Sequence, residues 1–471
     1  MYPPPLRNKI SIIILFGFIF FFILWPIRYQ SQSPLYVIPS ITKGAKSNSE
    51  PGPNIDALRS TILTDMSGNQ KEYLNSKGYI TFLSIFKKQH QTMINNLIKS
   101  ADIAVANTST YSVTLKPQLP PSNDPHDYLS LSRYYWPDPN KPDGLPYIRK
   151  DGYPNPEFFS IADYILLRKL FREIHDMGFA YYFTQNETYV KKSMYRLKEW
   201  FLDEQTKMNP NLNYAGLKKG ELTGAHTGVL DFHQVFRMFQ AITLLRFSPL
   251  WDQSIDAGLR EWMSEYYIWF STSKLGRIEG KAVNNHGTFY DVQAIFLLEY
   301  LGRNDEAKEY TQISLKNRID HGILPSGEQP HETARPTSWF YSIFNLQGLF
   351  MLAERCDHFG CKIKGRNGWN YEGPKKQSIQ RAVDFLLPFA LSGGEGWPRK
   401  NIKGFEMNDY VKILELSYII YDEEKYLEAV EELRPQSKAE QAAGMRSAKW
   451  EDNYLCNLAM MTNRMLWTCL Q

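Results

Sequence analysis

The sequence predicts an all-α fold, an (α/α) toroid or incomplete helical barrel, on three observations. From about residue 81 onward, apolar residues recur at three- and four-residue spacing. Alternating, strand-like stretches are almost absent. Roughly a dozen helical segments follow one another across mostly modest loops, a rhythm that suits stacked helical hairpins closing into a ring.

In order, the segments are 81–104, 156–178, 187–205, 228–247, 254–271, 288–302, 305–320, 337–356, 376–391, 409–421, 424–433 and 450–470. No repeat among them is regular enough for a solenoid. The stretch 114–156 breaks the rhythm with many Pro, Asp and Tyr residues. It is too aromatic for a disordered linker, and such a loop is either functional or packed over a domain mouth. Smaller interruptions fall at 362–376 and 393–404. A helical ring of this length can surround one continuous core, so 55–471 is assigned to a single domain.

Ahead of it, Arg7 and Lys9 precede an apolar run that begins at Ile10 and ends at Trp25, closed by Pro26 and Arg28. As a helix the run would span about 24 Å, short of the roughly 30 Å hydrocarbon core. Signal peptide and signal anchor both fit residues 1–28; the bulky run and the lack of a small-residue cleavage pattern favour a membrane anchor. The charge flanks then place the rest of the chain in the lumen or outside the cell, on a polar stalk over 29–54. Cys356, Cys361, Cys456 and Cys469 suit that compartment as two disulfides in any of three pairings. The C-x4-C pair has no matching second pair, which speaks against zinc. Asn107-Thr-Ser and Asn186-Glu-Thr are glycosylation acceptors.

A net charge of +4 gives no global field for nucleic acid, so an anionic partner must be met locally. Aromatic residues make up 14% of the chain, with 29 Tyr and 11 Trp, more than core packing usually needs. Carbohydrate clefts use such a surplus. Phosphate loops, dinucleotide fingerprints and nucleophile elbows are missing.

Three clusters concentrate chemistry. Asn284-Asn285-His286-Gly-Thr288-Phe289-Tyr290-Asp291 opens an apolar helical run with two amides, an imidazole and a phenol. Polarity this dense at the head of a core helix costs stability unless it is used. Gln329-Pro-His331-Glu332 leads through Arg335 to Trp339-Phe340-Tyr341. Arg133-Tyr134-Tyr135-Trp136 lies in the aromatic loop, where rings beside an Arg suit an acidic sugar. Each residue also has a plain structural use: Asn285 or Thr288 as a helix cap, His286 packed, Glu332 and Arg335 as an ion pair, Tyr341 as a core phenol.

The run from Leu129 to Pro139 with Lys141-Pro-Asp-Gly-Leu-Pro-Tyr-Ile-Arg149, the Asn-Asn-His-Gly-Thr-x-Tyr-Asp run, and Glu332-x-x-Arg335 followed by Ser338-x-x-Tyr341 together resemble the alginate-lyase superfamily of polysaccharide lyases, glucuronan lyases included. Three motifs in order are specific where each alone is weak, and the resemblance covers about 60–431. It implies an (α/α) toroid with a cleft across its mouth and an acidic polysaccharide as partner. Asn285 and Arg335 are then expected to bind the uronate carboxylate, His286 to assist as base or neutraliser, and Tyr341 to transfer the proton. Phe289 stands where Trp is more usual and Phe340 where a polar residue is sometimes found, departures that bear on subsites rather than on the reaction.

The chemistry explains the residue types. Cleaving a 4-linked uronate removes the weakly acidic C5 proton and expels the C4 oxygen, so the neighbouring carboxylate must be neutralised by preorganised donors. An amide, an imidazole and a guanidinium do this. The sequence offers no compact Asp/Glu cage, so metal-free neutralisation without a cofactor is expected. In β-D-glucuronate and β-D-mannuronate the C5 hydrogen and C4 oxygen share one ring face, so one Tyr can serve as base and acid, provided positive charge from Arg335 lowers its pKa. Tyr290 and His286 are rival bases. Arg133, Tyr134, Tyr135, Trp136, Asn284, Tyr290, His331 and Trp397 are the expected substrate contacts. Two other readings are an (α/α)-barrel glycoside hydrolase using a pair among Asp231, Glu279, Asp291, Glu328 and Glu332, and a tethered, non-catalytic glycan-binding protein.

Overall fold

The computed structural model describes residues 90–442, with side chains over 94–436. The chain divides into two units, Met1–Pro51 and Gly52–Gln471, and all described residues belong to the second. The apolar run ending at Trp25, the stalk over 29–54, Cys456, Cys469 and the segment 450–470 lie outside them. Among the described residues no helix is long and apolar enough to cross a membrane.

The described chain is an all-α toroid. Its helices are α1 (His90–Ala106), α2 (Asp163–Thr184), α3 (Glu187–Phe201), α4 (Val235–Leu245), α5 (Gln253–Thr272), α6 (Lys274–Gly280), α7 (Asn285–Tyr300), α8 (Asn304–Gly322), α9 (Pro330–Thr333), α10 (Ser338–His358), α11 (Ile379–Leu391), α12 (Asn408–Tyr421) and α13 (Glu424–Ala442). Helices near in sequence pack as hairpins: α1 on α2, α2 on α3 and α4, α7 on α8, α8 on α10, and α12 on α13. Side-chain caps fix several starts. Asn186, Asp252, Asn284 and Ser378 each accept a backbone N–H of the first turn of α3, α5, α7 and α11, satisfying donors that a helix start leaves free.

Helices α7 and α10 position the site. Fourteen of the 16 residues of α7 and 17 of the 21 of α10 are buried, so both run through the core rather than over it. They lie parallel: Phe289 stacks on Phe344 at 4.3 Å near their starts, and Arg355 pairs with Glu299 at 2.9 Å near their ends. Gly348 permits the close approach, because a Cβ there would lie 2.8 Å from Thr288 Cγ2. Both N-termini, with their polar clusters, therefore open at the same end of the ring.

The irregular 114–156 stretch is pinned by two small sheets. β1 (Leu129–Leu131) runs parallel to β4 (Tyr214–Leu217), and β2 (Tyr135–Trp136) antiparallel to β3 (Ile148–Arg149). Leu129, Leu131, Ile161 and Leu217 form a minor core beneath them.

Several elements differ from the sequence reading. The segment 156–178 becomes a 3₁₀ turn, Pro156–Phe159, and then α2, which continues past Gly178 to Thr184. Gly178 does not end the helix; a Cβ there would lie 2.5 Å from Ala241 Cβ, so the residue serves the α2–α4 contact. The segment 228–247 splits into a 3₁₀ turn, His226–Phe232, and α4. Cys356 and Cys361 are both buried free thiols rather than disulfide partners. Their side chains hydrogen-bond to each other, and the Cys361 N–H donates to the Cys356 carbonyl at 2.7 Å.

Candidate active site

Asn285 begins α7, with Asn284 and not Asn285 as its cap: the Asn284 side chain accepts from the His286 N–H at 3.2 Å. That leaves the Asn285 amide for another partner. Its backbone N–H donates to Glu332 Oε1 at 2.5 Å and its side-chain Nδ2 to Glu332 Oε2 at 2.6 Å. Both residues are 1% exposed. Burial pushes the Glu332 carboxyl up to about 7 against the pull of the Asn285 donors. The ion pair the sequence allowed between Glu332 and Arg335 is not what forms. Arg335 instead grips Asp151 with two bonds, Nε to Oδ2 at 2.8 Å and Nη2 to Oδ1 at 2.7 Å. Burial alone would raise the Asp151 carboxyl, but Arg335 outweighs it and holds the group below the usual range.

The same guanidinium lies over the Tyr341 ring, 3.8 Å from its centroid. Tyr341 is 6% exposed, and its hydroxyl meets that of Tyr134 at 3.0 Å. The sequence reading expected Arg335 to lower this phenol's pKa. Arg335 does act in that direction, but burial, reinforced by Tyr134, raises the phenol well above its ordinary value. The rival phenol, Tyr290, stacks on Phe270 at 4.1 Å and donates to the Phe270 carbonyl at 3.3 Å. It is a packed core side chain.

His286 turns Nδ1 to Glu279 Oε1 at 2.5 Å, and His226 turns its own Nδ1 to Glu279 Oε2 at 2.7 Å. Glu279 is fully buried. Burial raises its carboxyl, yet the positive charge of His286 and the bonds from both imidazoles leave it below the usual range.

The other expected contacts divide. Of the Arg133–Trp136 run, Tyr134 joins Tyr341, whereas Arg133 lies 4.6 Å over Phe158 and donates to Tyr164 Oη at 3.3 Å. Tyr135 sits under Lys218, and Trp136 donates to the Tyr153 carbonyl at 2.8 Å. His331 is exposed on α9. Trp397 is half-buried: it packs edge-on against Trp339 and Phe389 and donates to Ser338 Oγ at 2.8 Å, buttressing the first turn of α10. A cleft runs past Tyr134, Thr337, Phe340, Asn401 and Lys403. Asp151 and His226 were missed by the sequence reading. Asp151 stands 184 positions from Arg335 with no local signal; His226, between small residues in Gly-Ala-His-Thr-Gly, was the more findable.

The carboxylates weighed for hydrolysis are all engaged. Both oxygens of Glu279 and of Glu332 are taken. Asp231 accepts from Ser130 and Tyr128, Asp291 from Tyr310 and Arg318, and Glu328 from Thr333 and Arg399.

The chain matches the alginate lyase family over residues 112–397. Among solved structures, an alginate lyase from Bacteroides ovatus aligns at 31% identity and a TM-score of 0.69, covering 82% of this chain and 98% of that one. Alginate lyase A1-III from Sphingomonas species A1 aligns at 14% identity and a TM-score of 0.44, over 70% of this chain and 88% of that one. A search of curated proteins finds no match. A helical toroid with this family match and this structural relative is a polysaccharide lyase. The chain belongs to the alginate lyase family.

Proposed function

We propose that the protein cleaves a 4-linked polyuronate of the alginate type by β-elimination at β-D-mannuronate, with β-D-glucuronate chains as the chemically equivalent substrate, and that Asn285, His286, Arg335 and Tyr341 carry the reaction without a metal. The observation that supports this most is the Arg335 guanidinium stacked on the Tyr341 ring, whose hydroxyl is shared with Tyr134. The name borne by the Bacteroides ovatus relative supports the choice of alginate.

In this reading the uronate carboxylate is met by Asn285, by the outer nitrogen of His286 and by the Nη1–Nη2 edge of Arg335, which the Asp151 bonds leave open. Neutralised there, the sugar gives its C5 proton to the Tyr341 phenolate. The electron pair forms the C4–C5 double bond, the C4 oxygen leaves, and the same phenol returns the proton to it. Tyr134 shares the Tyr341 hydroxyl and gives its proton a route toward solvent before substrate arrives, while positive charge from Arg335 favours the phenolate. Burial makes the phenolate scarce but strongly basic, which suits a carbon acid. The apolar run from Ile10 to Trp25 supports a secretory route, where polymeric uronates are met.

The test is ultraviolet absorbance of unsaturated product from purified protein on polymannuronate, polyglucuronate and polyguluronate, with and without chelator. Absorbance should rise on the first two, unaffected by chelator. Polyguluronate, whose C5 hydrogen and C4 oxygen lie on opposite faces, should respond far less. Oligosaccharides released without absorbance would overturn the proposal in favour of hydrolysis.

A further inference from the structure

Glu279, on α6, binds two imidazoles from different elements, and only one belongs to the proposed catalytic set. His226 comes from the 3₁₀ turn His226–Phe232 and His286 from the first turn of α7, and these elements pack on one another and on α6. Each ring gives Nδ1 to one oxygen of a carboxylate with no exposed surface. Because Nδ1 and Nε2 lie on opposite sides of an imidazole, both rings are locked with Nε2 pointing away from Glu279. The His226 side chain is 42% exposed and that of His286 21%. His286 satisfies one oxygen of the buried carboxylate; the second imidazole, half-exposed, takes the other oxygen and leaves its far nitrogen without a role in the proposed reaction. A polyuronate carries a carboxylate on every sugar, so gripping one unit at His286 leaves the next carboxylate of the chain in want of a donor.

We propose that His226 is a second substrate-binding imidazole of this site, oriented by Glu279 to receive the carboxylate of the sugar adjoining the one cleaved. The inference rests on the proposed function above and extends the site by one residue beyond His286.

Two substitutions separate binding from architecture. His226→Asn places an amide nitrogen where Nδ1 was, keeping the Glu279 bond and removing the outward Nε2. His226→Gln reaches to the Nε2 position and keeps an outward donor. Initial rates of unsaturated-product formation are measured for both variants and the parent on polymannuronate and polyglucuronate, with melting curves as a control. The expected result is a KM about tenfold higher in His226→Asn with kcat within about threefold, a smaller rise in His226→Gln, and parental melting of the Asn variant. A parental KM in His226→Asn overturns the inference. A fall in kcat at unchanged KM also overturns it, since His226 would then act through Glu279 on His286. If the parent forms no unsaturated product from any uronate, the proposed function fails instead, which separates the two failures.

Discussion

Replacing Glu332 with glutamine tests the most unusual charge in the site. The carboxyl is 1% exposed and sits at about 7 in the folded protein, against an ordinary 4.5. Because the folded value is raised, the stability this group contributes is whole below about pH 4.5 and is lost as pH rises through about 7. From those two values, ionisation of Glu332 costs the fold on the order of 2–3 kcal/mol more at pH 8 than at pH 5. The amide introduced by Glu332→Gln does not ionise. It does carry a fixed penalty, since its nitrogen faces one of the two Asn285 donors while its oxygen accepts from the other. That penalty is the same at both pH values, so the stability gap between parent and variant should move by on the order of 2–3 kcal/mol in favour of Glu332→Gln on going from pH 5 to pH 8. Urea unfolding followed by tryptophan fluorescence at the two pH values measures it, and thermal melts should show the same trend as about 2–4 °C. A gap that stays constant with pH would refute the reasoning and return Glu332 to an ordinary carboxylate.

Tyr341→Phe removes a hydroxyl whose partner is Tyr134 and should lower kcat by about 10²–10⁴-fold with little change in melting, whereas Tyr290→Phe should stay within about threefold of the parent; steady-state rates of both variants decide between the phenols. Arg335→Lys keeps a charge but loses the two-bond grip on Asp151, and Asp151→Asn weakens the same grip from the other side, so each should lower kcat/KM by about tenfold or more. Parental rates in both would make the pair a surface tie. Expressed through a eukaryotic secretory route, Asn186 should carry glycan and Asn107 should not. The Asn186 side chain is exposed, while Asn107 Nδ2 donates to Tyr111 Oη at 2.7 Å and Glu173 Oε1 at 3.3 Å. Site mapping by mass spectrometry after glycosidase treatment checks this, and glycan at Asn107 in folded protein would contradict it.

What the sequence revealed was whatever is local. Apolar spacing marked α5, α8, α10 and α12 to within two residues at each end, because buried residues recur at helical spacing along the length of each. The density of polar groups at 284–291 singled out the start of α7 for the same reason. Pairings across the ring left no such trace. Nothing near Arg335 points to Asp151, and nothing near Glu332 says that it serves Asn285, since both partners arrive by folding. At Trp397 an aromatic beside Arg399 and Lys400 reads as a sugar platform, and the sequence gives no hint that Trp339, Phe385, Phe389 and Phe405 pack around the half-buried ring. Gly178 reads as a stop because a chain alone cannot tell a helix end from a place where another helix crosses closely.

The link between Asn285 and Glu332 is double, and its halves differ in kind. One bond comes from the side-chain amide; the other comes from the peptide nitrogen, which every residue except proline possesses. The docking of α9 against the head of α7 is therefore written partly in main chain and survives a change of side chain at position 285. Activity lost on changing Asn285 would then report on the chemistry proposed for its side chain rather than on an undocked α9.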